Sequence, residues 1–419
     1  MSQARVSTDG DTPDFAAIRE RFPGAQDKVY MNAAARGLPC VESRASLDAY
    51  LDKITDGRLD KAANFDMIER VREKYARLIN AESDEIAFTK NVSDGLNMIA
   101  ASVPLADGDN VVLCRNLEHP NNIYPWLNLG RTKGVEIRDI ADRDGFIDVD
   151  AIIGAMDDRT RLVTVATVTF APGFRTDVAK LGQACRDRGV FLLVDGVQSV
   201  GIVATDVKAL KVDALAVSTQ KALLGLYGMG FIYCRREWAE KITPAALARF
   251  SVDLGEGTHE ATMGGDSYAL MPGARRFDLG NYNFPAAAMV EPALDLLLAV
   301  GPEAIESYVC GLSHRLAAGL HQLGLPVSGG PPGPHLAHIV TAGEYTQDTH
   351  DGADTGTGHP VGSDAQFLKC LENQDMCQPA RPAAAQRQTD TLRAHATLAT
   401  AGQPQGGYTR CTQFEKMSS

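Results

Sequence analysis

From about Asp84 to Cys234 the chain alternates short β-branched runs with amphipathic helical spacing, and few folds accommodate that pattern. A strand, a helix and a further strand form the repeating unit of a parallel sheet, because parallel neighbours need a long crossover and a helix supplies it. The runs NVVLC (110–114), RLVTVATVT (161–169) and VFLLVDG (190–196) are apolar through most of their length rather than alternating, as strands covered on both faces are. Between the last two, DVAKLGQACRDRG (177–189) has helical spacing and ends on Gly189, which suits the left-handed residue that closes a helix. The fold class read from this is α/β with a mainly parallel central sheet.

Upstream, SRASLDAYLDKI and FDMIERVREKYARLIN read as two helices ahead of a strand EIAFT. Downstream, AAAMVEPALDLLLAVG and IESYVCGLSHRLAAGLHQLG read as two more. The Pro/Gly segment from Ser328 to Pro334 marks a loop, and HLAHIV after it reads as a strand of a smaller C-terminal α+β domain. The expected division is an N-terminal segment 1–29, a large domain 30–285, a small domain 286–345 and an atypical tail 346–419. From Gly343 onward, apolar periodicity fades into segments rich in Ala, Gln, Thr and Gly, so weak or irregular structure is expected there.

With 419 residues and 44% apolar composition the chain can bury a large core and is expected to divide into more than one unit. Its 41 basic and 53 acidic residues leave a net charge of -12, which argues against a nucleic-acid partner. The opening MSQARVSTDGDTPDF has no secretory apolar run, and no stretch approaches the about 20 apolar residues needed to cross a bilayer. No membrane partner is expected, and the expected location is cytoplasmic. The 8 cysteines show no CxxC pair and no metal-ligand spacing, so no metal is expected and each thiol reads as a small buried hydrophobe.

Chemistry concentrates in VDGVQSVG (194–201) and AVSTQKALLGLYGMGFIY (216–233). Functional side chains of an α/β sheet sit at the carboxyl ends of its strands, so Asp195 and Lys221 are expected to enter one crevice. Either residue alone reads as a helix cap or a solvated lysine, but Lys221 lies in a segment with almost no other charge. An amine and a carboxylate so placed suit pyridoxal 5'-phosphate (PLP). That cofactor needs a lysine for a Schiff base and an acid to keep its ring nitrogen protonated.

VDGVQS followed by STQKALLGLYGMGF resembles the class V aminotransferase group of fold-type I PLP enzymes, which includes cysteine desulfurases and selenocysteine lyases. The resemblance runs from about Tyr30 to Leu297. It also rests on VYMNAAARGLP, FTKNVSDGLNMIA, LEHPNNIYPW and RRFDLGNYNFPAA, which come in the family's order. It implies phosphate contacts from Val92 and Ser93 at a helix start and from Ser218. It further implies that His119 stacks on the cofactor ring, that Gln198 bonds the ring hydroxyl, and that Lys221 and Asp195 hold the roles given above. Asn281 falls where relatives reach the phosphate of the neighbouring subunit, which implies a homodimer with shared sites. Asn32, in the opening segment, is a candidate contact for an amino-acid substrate.

The chain also departs from the group. Cysteine desulfurases of this kind usually carry His before the lysine, whereas Gln220 stands here, as in some class V transaminases. Cys377, in NQDMCQPARP, is the candidate for a desulfurase nucleophile, although its surroundings do not match the family motif. Arg381 is the nearest candidate for a clamp on the substrate carboxylate, and the family's closing Arg and Tyr-Asn stretch is not found. The resemblance therefore implies first a cysteine desulfurase-like C–S lyase, then a class V aminotransferase, then an isopenicillin-N-epimerase-like epimerase. A different class of reading is a PLP-binding relative whose altered tail leaves no working substrate site.

Overall fold

The computed structural model describes residues 13–255 and 267–342. A short helix α1 (Phe15–Arg19) and two long ones, α2 (Val41–Thr55) and α3 (Lys61–Leu78), precede strand β1 (Ile86–Thr89). Alternation follows through α4 (Val92–Ser102), β2 (Asn110–Leu113), α5 (Tyr124–Lys133), β3 (Glu136–Asp139), α6 (Val149–Ala155), β4 (Thr160–Ala166), α7 (Val178–Arg188) and β5 (Phe191–Asp195). Strands β6 (Ala214–Ser218) and β7 (Gly230–Cys234) complete the sheet, and the short helix α8 (Arg236–Ala239) leaves it. A separate pair β8 (Val252–Asp253) and β9 (Ala269–Leu270) precedes α9 (Phe284–Val300) and α10 (Pro302–Gln322).

The seven strands lie in the order β1-β7-β6-β5-β4-β2-β3. Pairings among β3, β2, β4, β5 and β6 are parallel, and β7 runs antiparallel to β6 and β1. This is the mostly parallel α/β sheet expected from the alternation. Adjacent residues of a strand face opposite ways, and β5 uses both. Leu192 and Val194 join α3, α7 and α9 in one core, while Phe191 and Leu193 join Leu96, Ile99 and Trp126 of α4 and α5 in another. All four side chains are fully buried, each contributing about 2 kcal/mol, which is why the run is apolar throughout. Helix α7 starts where Asp177 accepts the Lys180 N–H at 3.0 Å and ends at Gly189, whose φ of 65° is left-handed as its sequence suggests.

Helix α9 buries Ala286, Ala293 and Leu294 in the core that holds Ile68, Val71 and Tyr75 of α3. One feature departs from the simple sequence reading. The segment 335–340 forms isolated bridges rather than a strand of a second sheet. It lies along the loop after β4: Leu336 bridges Phe174, the His335 carbonyl accepts the Arg175 N–H at 2.9 Å, and Thr341 Oγ1 donates to the Pro172 carbonyl at 2.9 Å. Its Ala337 and Ile339 pack with Ala34, Val168 and Ala222, at the carboxyl end of the sheet. No single helix among the described residues is long and apolar enough to cross a membrane.

Candidate functional site

Asp195 is the last residue of β5 and is 3% exposed. Its Oδ1 accepts the Val197 N–H at 3.0 Å. Burial pushes its carboxyl above the usual range, while that N–H and the Lys221 ammonium pull it back, so the sheet brings Asp195 and Lys221 within electrostatic reach. Lys221 is half-buried in the turn after β6, the strand beside β5. That turn is tightly held. Thr219 Oγ1 donates to the Leu226 carbonyl at 2.6 Å, the Leu224 N–H reaches the Lys221 carbonyl at 3.0 Å, and the Gly37 N–H reaches the Gln220 carbonyl at 2.9 Å. Gly37 approaches so closely that a Cβ there would stand 2.2 Å from the Lys221 carbonyl oxygen.

Helix α4 aims its N-terminus at the same end of the sheet. Asn91 caps it by accepting the Asp94 N–H at 2.9 Å, and the Val92 N–H donates to Ser218 Oγ at 2.6 Å. Two expected anion contacts are thus joined to each other, with Ser93 half-buried beside them. An eleven-residue helix directs a partial positive charge at this point. An open cavity of about 700 Å³ lies here, lined in part by Thr89, Asn91, Asp94, Gly228, Asn281 and Asn283. Asn281 is exposed.

His119 caps a short turn after β2: its Nδ1 accepts the Asn121 N–H at 3.2 Å, which leaves Nε2 to carry the proton in the neutral ring. The ring meets Phe170 edge-on, with centroids 5.3 Å apart. Gln198 is buried in the turn after Asp195, whereas Asn32 is exposed at the start of the turn that closes on Arg36, just before Gly37. Cys377 and Arg381 lie outside the described residues, as does the tail 346–419.

Two site-end residues escaped the sequence reading. Glu118, next to His119, is 2% exposed and feels the charge of Asp195. His338, in the segment along the β4 loop, is 1% exposed with neither ring nitrogen hydrogen-bonded. Burial, then the charges of Lys221 and Arg175, push its imidazole down to about 3, so it is neutral. Adjacency to His119 was a signal for Glu118, but burial has no mark in a single sequence, and HLAHIV gives no sign of what its His faces. Among the described residues, no His, Cys, Asp and Glu cluster is placed to hold a metal, and the five cysteines are unpaired.

A buried carboxylate, an amine, a helix N-terminus and an imidazole gathered at one end of a sheet suit an aromatic ligand with a basic ring nitrogen, an electrophilic carbon and an anionic group. Comparison with known proteins agrees with this chemistry. The family model described as Aminotransferase class-V matches residues 56–354. A probable cysteine desulfurase of Methanothermobacter thermautotrophicus is 31% identical over 342 residues, which cover 80% of this chain and 82% of the relative. The uncharacterized aminotransferase YcbU of Bacillus subtilis is 31% identical over 293 residues, covering 70% of this chain and 75% of the relative. Among solved structures, the apo cysteine desulfurase of Thermococcus onnurineus NA1 superposes with a TM-score of 0.70 at 26% identity, covering 82% of this chain and 83% of that one.

Proposed function

The chain belongs to the aminotransferase class-V family, and from that premise we propose that it is a PLP-dependent enzyme acting on an amino acid as a cysteine desulfurase-like C–S lyase. One observation carries the reading: Asp195 and Lys221 face each other electrostatically from the carboxyl ends of the adjacent parallel strands β5 and β6. The residues present fit the cofactor. Lys221 Nζ would hold it covalently, with Asp195 at its ring nitrogen. His119 would cover its face and Gln198 would meet its hydroxyl. The first turn of α4, with Ser93 and Ser218, would take the phosphate. When bound, the cofactor supplies an electron sink for the bonds at the substrate α-carbon.

The protein's own part is positioning and proton transfer. Lys221 Nζ would take the α-proton of a bound amino acid and return it. The Asp195 carboxylate would stabilise a protonated ring nitrogen. Resemblance to named desulfurases supports C–S cleavage. Gln220 before Lys221, and the resemblance to YcbU, favour transamination as a second reading. Asn281, exposed beside the helix start, supports a homodimer with shared sites, and the five unpaired cysteines among the described residues suit a cytoplasmic location. For the parts beyond the described residues, Cys377 as sulfur acceptor and Arg381 as carboxylate clamp remain part of this proposal, with Asn32 as a substrate contact.

The test is incubation of the PLP-loaded protein with L-cysteine and a thiol reductant, which clears any persulfide, and no keto acid. Sulfur release over repeated turnovers, lost in Lys221→Ala, is the expected result. A single turnover that stops until a keto acid is supplied replaces this reading with the second. Binding of PLP with no turnover of any amino acid overturns both.

A further inference from the structure

Glu118 lies in a cradle that fixes it beside Asp195. Its Oε1 accepts the Ala166 N–H at 2.7 Å, at the end of β4, and Ala166 is the register partner of Asp195 on β5. Its Oε2 accepts the Asn122 side-chain amide at 2.8 Å. Asn122 cannot turn, because its Oδ1 accepts both the Trp126 indole N–H at 3.3 Å and the Thr164 hydroxyl at 2.8 Å, and the indole can only donate. All of these residues are buried. Such a cradle demands two acceptor oxygens in one orientation, which is more than a packing role requires.

Two carboxyl groups in one dry region cannot both ionise cheaply, so they divide the charge according to their surroundings. Asp195 has the Lys221 ammonium to hold its charge. Among the described residues no cation acts on Glu118: the titratable groups about it are Asp195, the Cys114 thiol, whose ionisation it opposes, and its sequence neighbour His119, whose Nδ1 accepts a backbone N–H. Each carboxyl oxygen has a second lone pair, so a protonated Glu118 keeps both cradle contacts.

We infer that Glu118 is a positioning residue for Asp195: it takes the one proton of a shared carboxyl pair and so confines the negative charge to Asp195, where the cofactor ring nitrogen is met. The inference rests on the Asp195–Lys221 reading above. It explains a feature that reading leaves idle, a buried acid placed next to the acid that must stay ionised. The Asn122 and Ala166 donors favour the ionised carboxylate, but burial and the Asp195 charge outweigh them and push Glu118 up to about 8, which sets the window in which the device operates.

The experiment follows isotope-labelled glutamate carboxyl carbons by NMR in the full-length protein, and in parallel titrates the visible band of the PLP-loaded form. A carboxyl absent from Glu118→Gln and titrating near 8 is expected. In Asp195→Asn its proton affinity falls at least tenfold, because coupling between two sites is reciprocal. The visible band of the loaded protein changes with the same midpoint, and Glu118→Gln lacks that change. A Glu118 carboxyl in the ordinary range, one unmoved in Asp195→Asn, or a band titration identical in Glu118→Gln overturns the inference. If Glu118→Gln does not fold, the Asp195→Asn shift alone decides it. Absence of any Lys221-dependent band is failure of the parent reading, and Lys221→Ala scores it separately.

Discussion

At the scale of single residues, the site's polar groups are legible where they interrupt apolar sequence and silent where the fold alone buries them. Asp195 and Lys221 stand out because charges are rare in 190–234, and the structure brings them together. His338 gives no such signal, yet its burial has a consequence that can be measured. Its folded value of about 3 lies below the ordinary 6.5, so the unfolded chain takes up a proton that the folded chain refuses. Stability from this residue is therefore fully present above about pH 6.5 and is lost as pH falls toward 3, by up to about 1.4 kcal/mol per pH unit. His338→Leu removes that slope and two unpaired nitrogens, so urea unfolding at pH 5 is expected to show it at least as stable as the parent. A variant equally acid-sensitive would place the slope elsewhere. Gly37 gives a second residue-scale prediction. A methyl group 2.2 Å from the Lys221 carbonyl must displace the turn, so Gly37→Ala should keep its circular dichroism and lose activity at least tenfold.

At the scale of elements, the βα alternation, the doubly buried strands and the Gly189 helix end are all written in the sequence, because periodicity and glycine report local geometry. Strand direction is not. GFIYC is as apolar as the parallel strands of the sheet, and only the short connection from β6 returns it antiparallel as β7. HLAHIV bridges a loop rather than joining a sheet for a related reason: a short apolar run has the same pattern in either place. The loop 278–283, which carries Asn281 to the helix start, depends on a pair that no local pattern reveals. Arg72 of α3, fully buried, donates to Asp278 Oδ2 at 2.8 Å, and Asp278 also accepts the Tyr282 hydroxyl at 3.0 Å and the Phe88 N–H at 2.8 Å. Removing one member leaves a buried charge uncompensated. Arg72→Ala should lower stability by about 3–5 kcal/mol in denaturant titration, whereas a loss under 1 kcal/mol would show that the loop is held by other contacts.

At the scale of the whole molecule, the motifs that resemble the family come in its order from about Tyr30 to Leu297, and the family model matches residues 56–354, which take in all of them but VYMNAAARGLP. Reaction type stayed beyond reach for a physical reason. The branch taken after α-proton removal depends on side chains beyond the cofactor shell, and the candidates for that role, Cys377 and Arg381, fall outside the described residues. The proposed chemistry depends on a covalent bond between PLP and one amine. Reduction of the PLP-loaded protein with borohydride, followed by peptide mass spectrometry, tests it directly. A single phosphopyridoxyl adduct on Lys221 is expected, formed weakly or not at all in Asp195→Ala. An adduct confined to another lysine, or none despite bound PLP, would contradict it.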